Sequence, residues 1–136
     1  MRIVVDTNRI LVALISDGLS RAIIVSSEIE FFTVGHVLEE VEKYKTEISA
    51  KSGLSVGELN SLIGNFMQNI TLISDEKTSC HMDESMRIMG KIDPKDAPIM
   101  ACAMAFSNDG IWTEDKHFDR QNKVRVWKSK DLLKEI

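Results

Sequence analysis

The apolar residues of this 136-residue chain fall into short β-branched runs separated by longer stretches of helical period. Arg2–Val5 reads as a buried strand, Glu30–Val34 and Ile70–Ile73 as the second and third, and Gly110–Thr113 and Val124–Trp127 as the last two. Between them the period changes to that of helices, expected at about Arg9–Ile15, Ser20–Ser27, Gly35–Ala50, Thr78–Gly90 and Asp96–Ser107, with Lys130–Ile136 closing the chain. A further helix opens at Ser55, where Glu58 stands three residues on at the spacing of a capping box. This alternation predicts an α/β fold, a parallel sheet covered by helices on both faces. In such sheets sites form just beyond the carboxyl ends of the strands.

Two helices carry more than their period. In Gly35–Ala50 the apolar face is Val37, Leu38, Val41, Tyr44 and Ile48. At about 100° per residue Glu39 points away from that stripe and Glu40 lies at its edge, so Glu40 is the one placed to look inward. The helix expected over Asp96–Ser107 has almost no polar face, which predicts burial on most sides, by the sheet and by a partner subunit as well. Its entry, Asp93-Pro94-Lys95-Asp96-Ala97-Pro98, fits a helix start near Asp96 with Asp93–Lys95 as a tight turn. An earlier start would put Pro98 where its missing N–H is needed.

The acids after strands are the candidate chemistry. Asp6 immediately follows Ile3-Val4-Val5, and Asp115 stands two residues beyond Thr113. If those strands are parallel neighbours, both carboxylates emerge on the same rim, joined by Glu40 and by Asp96 at the mouth of a helix. Either Asp alone would pass for an ordinary turn former. Together, carboxylates packed this closely repel one another unless a hard cation neutralises them. Mg²⁺ or Mn²⁺ takes such oxygen ligands and supports hydrolysis of a phosphodiester without a histidine base. Asn8 and Thr113 are placed to orient the carboxylates by hydrogen bonds.

Composition narrows the class. The chain is 43% apolar and 28% charged, as ordinary globular domains are, and its length fits one domain over residues 1–136 without repeats or low-complexity linkers. Apolar stretches reach only about ten residues and the first meets Asp6 almost at once, so neither a membrane span nor a signal peptide is expected. With two cysteines in no metal-ligand spacing, a reducing cytoplasm is the expected setting. The net charge of −4 excludes a protein held to nucleic acid by bulk charge, yet Lys116–Lys130 holds six Lys/Arg against one Asp.

These residues together resemble the PIN-domain nucleases, the family that includes VapC-type toxins. Val4-Val5-Asp6-Thr7-Asn8 is similar to its opening strand-Asp motif, and Leu38-Glu39-Glu40-Val41 to its second motif, with Glu40 as the match. Asp96-Ala97-Pro98-Ile99-Met100-Ala101 resembles the third, and Thr113-Glu114-Asp115-Lys116-His117-Phe118 the fourth, Thr-x-Asp-x-x-Phe. The resemblance implies a three-layer α/β/α sandwich with a mainly parallel sheet of four to five strands. It also implies a Mg²⁺- or Mn²⁺-dependent ribonuclease with Asp6, Glu40, Asp96 and Asp115 as metal ligands and catalytic residues. Family members commonly form homodimers, and in many relatives a small antitoxin blocks the site. Asp93 matches an extra Asp of one subgroup, as a ligand or as a turn residue.

Other residues are assigned blander roles. His36, His81 and His117 share no metal spacing, and His117, near Asp115, reads as an ordinary loop histidine ahead of one that touches substrate. Met82, Met86 and Met89 fall at helical spacing and are expected in the core, as are Trp112, Trp127 and Cys102. Arg9 reads as a counter-charge for the nearby acids. The basic tail, from Arg120 to Lys130, reads equally as an RNA-backbone surface and as a solvated strand and loop. Haloacid-dehalogenase-like phosphatases need an acid where Asn8 stands, and receiver domains need an acidic pair after the first strand, so both rank below the nuclease. A PIN-like module acting only through protein or RNA binding is the remaining alternative.

Overall fold

A computed structural model describes all residues, Met1–Ile136. Five strands, β1 (Arg2–Val5), β2 (Glu30–Val34), β3 (Ile70–Ile73), β4 (Ile111–Trp112) and β5 (Val126–Trp127), form one sheet in the order β3-β2-β1-β4-β5. Every pairing is parallel. Residues 3, 4 and 5 of β1 are wholly buried because the strand lies at the centre with helices on both sides. Alternate residues serve opposite cores. Ile3 and Val5 join Phe31, Ile70 and Trp112 on one face, while Val4 joins Phe32, Val34 and Ile111 on the other.

The first face is covered by α1 (Thr7–Ile15), α2 (Leu19–Ile24), α3 (His36–Lys43), α4 (Lys45–Ser52), α5 (Val56–Asn69) and α9 (Ser129–Leu133). The second is covered by α7 (Met82–Met89) and α8 (Ala97–Met104), with α6 (Asp75–Ser79) packed beside α8. The result is the expected three-layer α/β/α sandwich. No helix is long and apolar enough to cross a membrane.

The chain runs outward from β1 through β2 to β3, then returns to lay β4 against the other edge of β1. That reversal opens a crevice at the carboxyl ends of β1 and β4. Gly110 makes the return tight. It sits at φ 129°, and a Cβ there would run into the carbonyl oxygen of Arg125, which instead accepts the Ile111 N–H at 2.9 Å.

Several expected elements are redrawn. The helix expected over Gly35–Ala50 is two, α3 and α4, broken where Tyr44 leaves helical geometry at φ −103°, ψ 13°. The bend carries Ile48 under α1 and leaves Leu38 and Tyr44, expected on the apolar face, exposed. The helix expected over Thr78–Gly90 is likewise α6 and α7, split at Cys80-His81, with the Ser74 hydroxyl capping α6 through Lys77 N–H. Met89 is core and Met82 packs against it, but Met86 is 42% exposed. The capping box is present as read, Ser55 and Glu58 each accepting the other's backbone N–H at 3.1 Å.

Helix α8 begins at Ala97 after a 3₁₀ turn over Pro94–Asp96, and Asp93 closes that turn by accepting the Lys95 N–H at 3.0 Å. Ala97, Ile99, Met100, Ala101, Cys102 and Ala103 are all buried within the chain, by α7, β1 and β2. The expected partner subunit is therefore not needed to bury this helix. A buried Ser85 hydroxyl donates to the Ala97 carbonyl at 2.6 Å and fixes where α8 starts.

Candidate active site

Asp6 stands at the central strand's end and caps α1. Its backbone N–H still pairs with the sheet, donating to Trp112 O at 3.1 Å, while its carbonyl accepts the Arg9 N–H at 2.9 Å. The side chain is buried and accepts the Thr113 hydroxyl at 2.7 Å. That hydroxyl in turn accepts the Asp115 N–H at 3.0 Å. One fully buried threonine thus ties the end of β1 to the turn that follows β4. Burial raises the Asp6 pKa, the Thr113 hydroxyl and the Asn8 N–H oppose the rise, Asp115 adds to it and Arg9 lowers it.

Asp115 caps the 3₁₀ turn Lys116–Arg120, accepting the His117 N–H at 2.9 Å. The same turn swings the His117 ring back over the acids. Its Nδ1 lies 3.1 Å from Asp115 Oδ1, 3.3 Å from Asp96 Oδ2 and 3.4 Å from Asp93 Oδ2. Donor atoms of Asp93, Asp96 and His117 all fall within 4.8 Å of one another.

Asp96 is the most crowded acid. Burial first, then the charges of Asp115, Asp93 and Asp6, push its pKa up to about 6, and only the His117 contact pulls it down. Glu40 reaches the same place from α3, half-buried, while Glu39 is exposed.

A cavity of about 270 Å³ is walled by Asp6, Glu40, Asp96 and Asp115 together with Asn8, Asp93 and Thr7. The four expected ligands are therefore brought to one space. Of the expected supports, Asn8 and Asp93 line it and Thr113 stands behind Asp6. His36, Lys95, Leu11 and Ile99 complete the wall. None of these is marked by the sequence, and His117 is marked only as a neighbour of Asp115, not of Asp93 and Asp96. His117 lies 21 residues from Asp96, so no ligand spacing marks it. The available signal was Asp115-Lys116-His117, because a capping Asp draws the second residue after it back toward its own carboxylate.

The donor set fits a divalent cation. Five carboxylates line one cavity, ligand atoms of Asp93, Asp96 and His117 lie within 4.8 Å of one another, and the buried Thr7 Oγ1 in the same wall has no hydrogen-bond partner. A family model described as PIN domain matches residues 4–135. The chain belongs to the PIN-domain family. PIN domains are in general nucleases that use divalent metals, which agrees with an acid-lined cavity at the end of a parallel sheet. Comparison with curated proteins and with solved structures gives no significant match. In this PIN domain the cavity continues toward Arg9 and Glu114, where a second space of about 260 Å³ shares Asp6, Asn8 and Asp115 with the first.

Proposed function

We propose that this PIN domain is a Mg²⁺- or Mn²⁺-dependent endoribonuclease. Asp6, Glu40, Asp96 and Asp115 would hold the metal, with Asn8, Thr113 and Asp93 in support. The observation that carries this reading is the gathering of Asp6, Glu40, Asp93, Asp96 and Asp115 around one cavity at the carboxyl end of the central strand. A fold gains nothing from like charges pressed together unless a cation joins them. When bound, Mg²⁺ or Mn²⁺ supplies the positive charge that draws in a phosphodiester and stabilises charge developing on it during in-line attack.

The chain's own residues do the rest. Thr113 donates to Asp6, holds that carboxylate in one orientation and offsets part of the rise that burial gives its pKa. Asp93 shapes the turn that presents Asp96 at the start of α8. His117 Nδ1 lies within 3.1–3.4 Å of three carboxylates and ties Asp93, Asp96 and Asp115 together. Lys95 offers a cation on the cavity wall for an approaching phosphate. A cytoplasmic setting, a homodimeric form and control by a small antitoxin are narrower parts of the reading. They rest on composition and on the resemblance described above.

Cleavage of labelled RNAs with Mn²⁺, with Mg²⁺ and with a chelator tests the proposal, beside Asp6→Asn and Asp96→Asn. Cleavage should require metal, and each variant should be slower by roughly 10²- to 10³-fold. Undiminished cleavage by both variants, or no cleavage of any RNA offered, overturns it.

A further inference from the structure

Three cavities share walls in sequence. The acid-lined one shares Asp6, Asn8 and Asp115 with the second, and the second shares Glu114 with a third of about 480 Å³ lined by Lys116, Asp119, Lys128 and Lys130. Through these shared walls the three cavities follow one another from the carboxylates to Lys128 and Lys130 at the start of α9. The charge of this groove changes sign along its length, from carboxylates at the metal-binding end, past Arg9, to three lysines at the other.

Most cations of this groove enter no ion pair, although Arg9 acts on Asp6 at longer range. Arg9 lines the middle cavity, its Nε is buried without a hydrogen-bond partner, and it enters no ion pair. Lys116 and Lys130 enter none either. Lys128 is held by Asp119 at 3.1 Å. The other carboxylate here, Glu114, is fixed by the Ser129 N–H at 2.7 Å, which turns it toward α9. A buried guanidinium nitrogen without a partner is costly unless a ligand satisfies it. The ligand chemistry that matches a line of cations leading from an acid cluster is a row of phosphates.

We infer that this groove is the track for the phosphodiester backbone of a single RNA strand, with Arg9, Lys116, Lys128 and Lys130 holding phosphates on one side of the bond to be cut. The inference rests on the ribonuclease reading and adds the strand's direction of approach. Asp119 then acts as a stand-in for a phosphate on Lys128, released when the strand binds.

The test is fluorescence anisotropy with 5′-labelled oligouridylates of about 4 to 16 nucleotides. Ca²⁺ replaces Mn²⁺ to hold back cleavage, and binding is read across a salt series. For single strands each phosphate contact contributes about 0.7 to the slope of log affinity against log salt. Lys116→Ala/Lys130→Ala should therefore lower the slope by about 1.4 and weaken binding roughly tenfold. Asp119→Ala, which frees Lys128, should tighten binding about threefold, a change opposite to that of any loss of fold. Lys51→Ala and Lys77→Ala, away from the groove, should leave both readings unchanged.

An unaltered slope in the double variant together with no tightening in Asp119→Ala overturns the track, as does failure of the unsubstituted protein to bind any single strand. If RNA is cleaved normally while these variants keep their affinity and slope, the track alone is wrong. If nothing is cleaved yet the slopes change as stated, the ribonuclease reading fails and the groove stands.

Discussion

Asp6 and Asp96 face one cavity from opposite layers of the sandwich, and their surroundings differ. Asp6 has a hydroxyl donor at 2.7 Å, a backbone N–H nearby and Arg9 as counter-charge, all of which offset part of its burial. Asp96 has only His117 at 3.3 Å, against burial and three carboxylates. Asp6 is also pushed above its ordinary pKa, but its donors and Arg9 offset part of the cost of ionising it. The Asp96 side is an anion only at a cost, and that cost is removed by a cation. A site of this kind needs both, one carboxylate that fixes position and one whose strain makes the cation bind.

The largest effect that tests this contrast comes from Asp96→Asn. The amide keeps the shape and removes the charge, so cleavage should fall by about 10³-fold while the metal-free protein melts at a higher temperature. Asp6→Asn should lose as much activity with a smaller gain, because the donors its carboxylate already holds offset part of the cost of its burial. Equal melting shifts in the two variants, read by thermal denaturation in chelator, would erase the distinction. Thr113→Val comes next. It strips the hydroxyl from both Asp6 and the Asp115 N–H at a wholly buried position, with an expected loss of about 10- to 100-fold in cleavage and about 1–3 kcal/mol in stability. An active, stable Thr113→Val would mean that Asp6 needs no fixing. Metal binding itself should then raise the melting temperature of the unsubstituted protein, by about 2.7 kcal/mol of stability at a Mn²⁺ concentration 100 times the dissociation constant. In Asp96→Asn that rise should largely vanish.

What could be read from the sequence divides along similar lines. Strands β1 to β3, the Ser55 cap and the entry to α8 are written in local signals, namely β-branched runs, a capping pair, and Pro98 placed where its missing N–H does no harm. Glu40 was separable from Glu39 because helical geometry assigns them different faces. The breaks at Tyr44 and at Cys80-His81 carry no glycine or proline. They arise because the chain bends to seat Ile48 under α1 and Met89 under the sheet, which is a property of packing rather than of local propensity. The contact of His117 with Asp93 and Asp96 is hidden for a related reason. These carboxylate neighbours of His117 are assembled only when α8 is laid beside the end of β4. The burial of α8 was legible as a need, but not which surface would meet it.

The smallest expected effect is on pH dependence, and it decides whether the strain at Asp96 is real. Its pKa in the folded protein is about 6, above the ordinary 3.8, so the folded state binds the proton more tightly than the unfolded chain does. Between those values the folded state carries more protons, and stability must rise as pH falls. The destabilisation is complete above about 6, where Asp96 is ionised in both states, and it fades as pH drops toward 3.8. Asp6, also raised, acts in the same direction. Lowering pH from about 7.5 to about 5.5 in chelator should therefore raise the melting temperature of the unsubstituted protein relative to Asp96→Asn, in which this term is absent. Over the same interval Mn²⁺ should bind progressively more weakly, because the proton and the metal compete for one carboxylate. Parallel melting curves for the two proteins across that range would show that Asp96 is not crowded in solution, and the contrast with Asp6 would lose its physical basis.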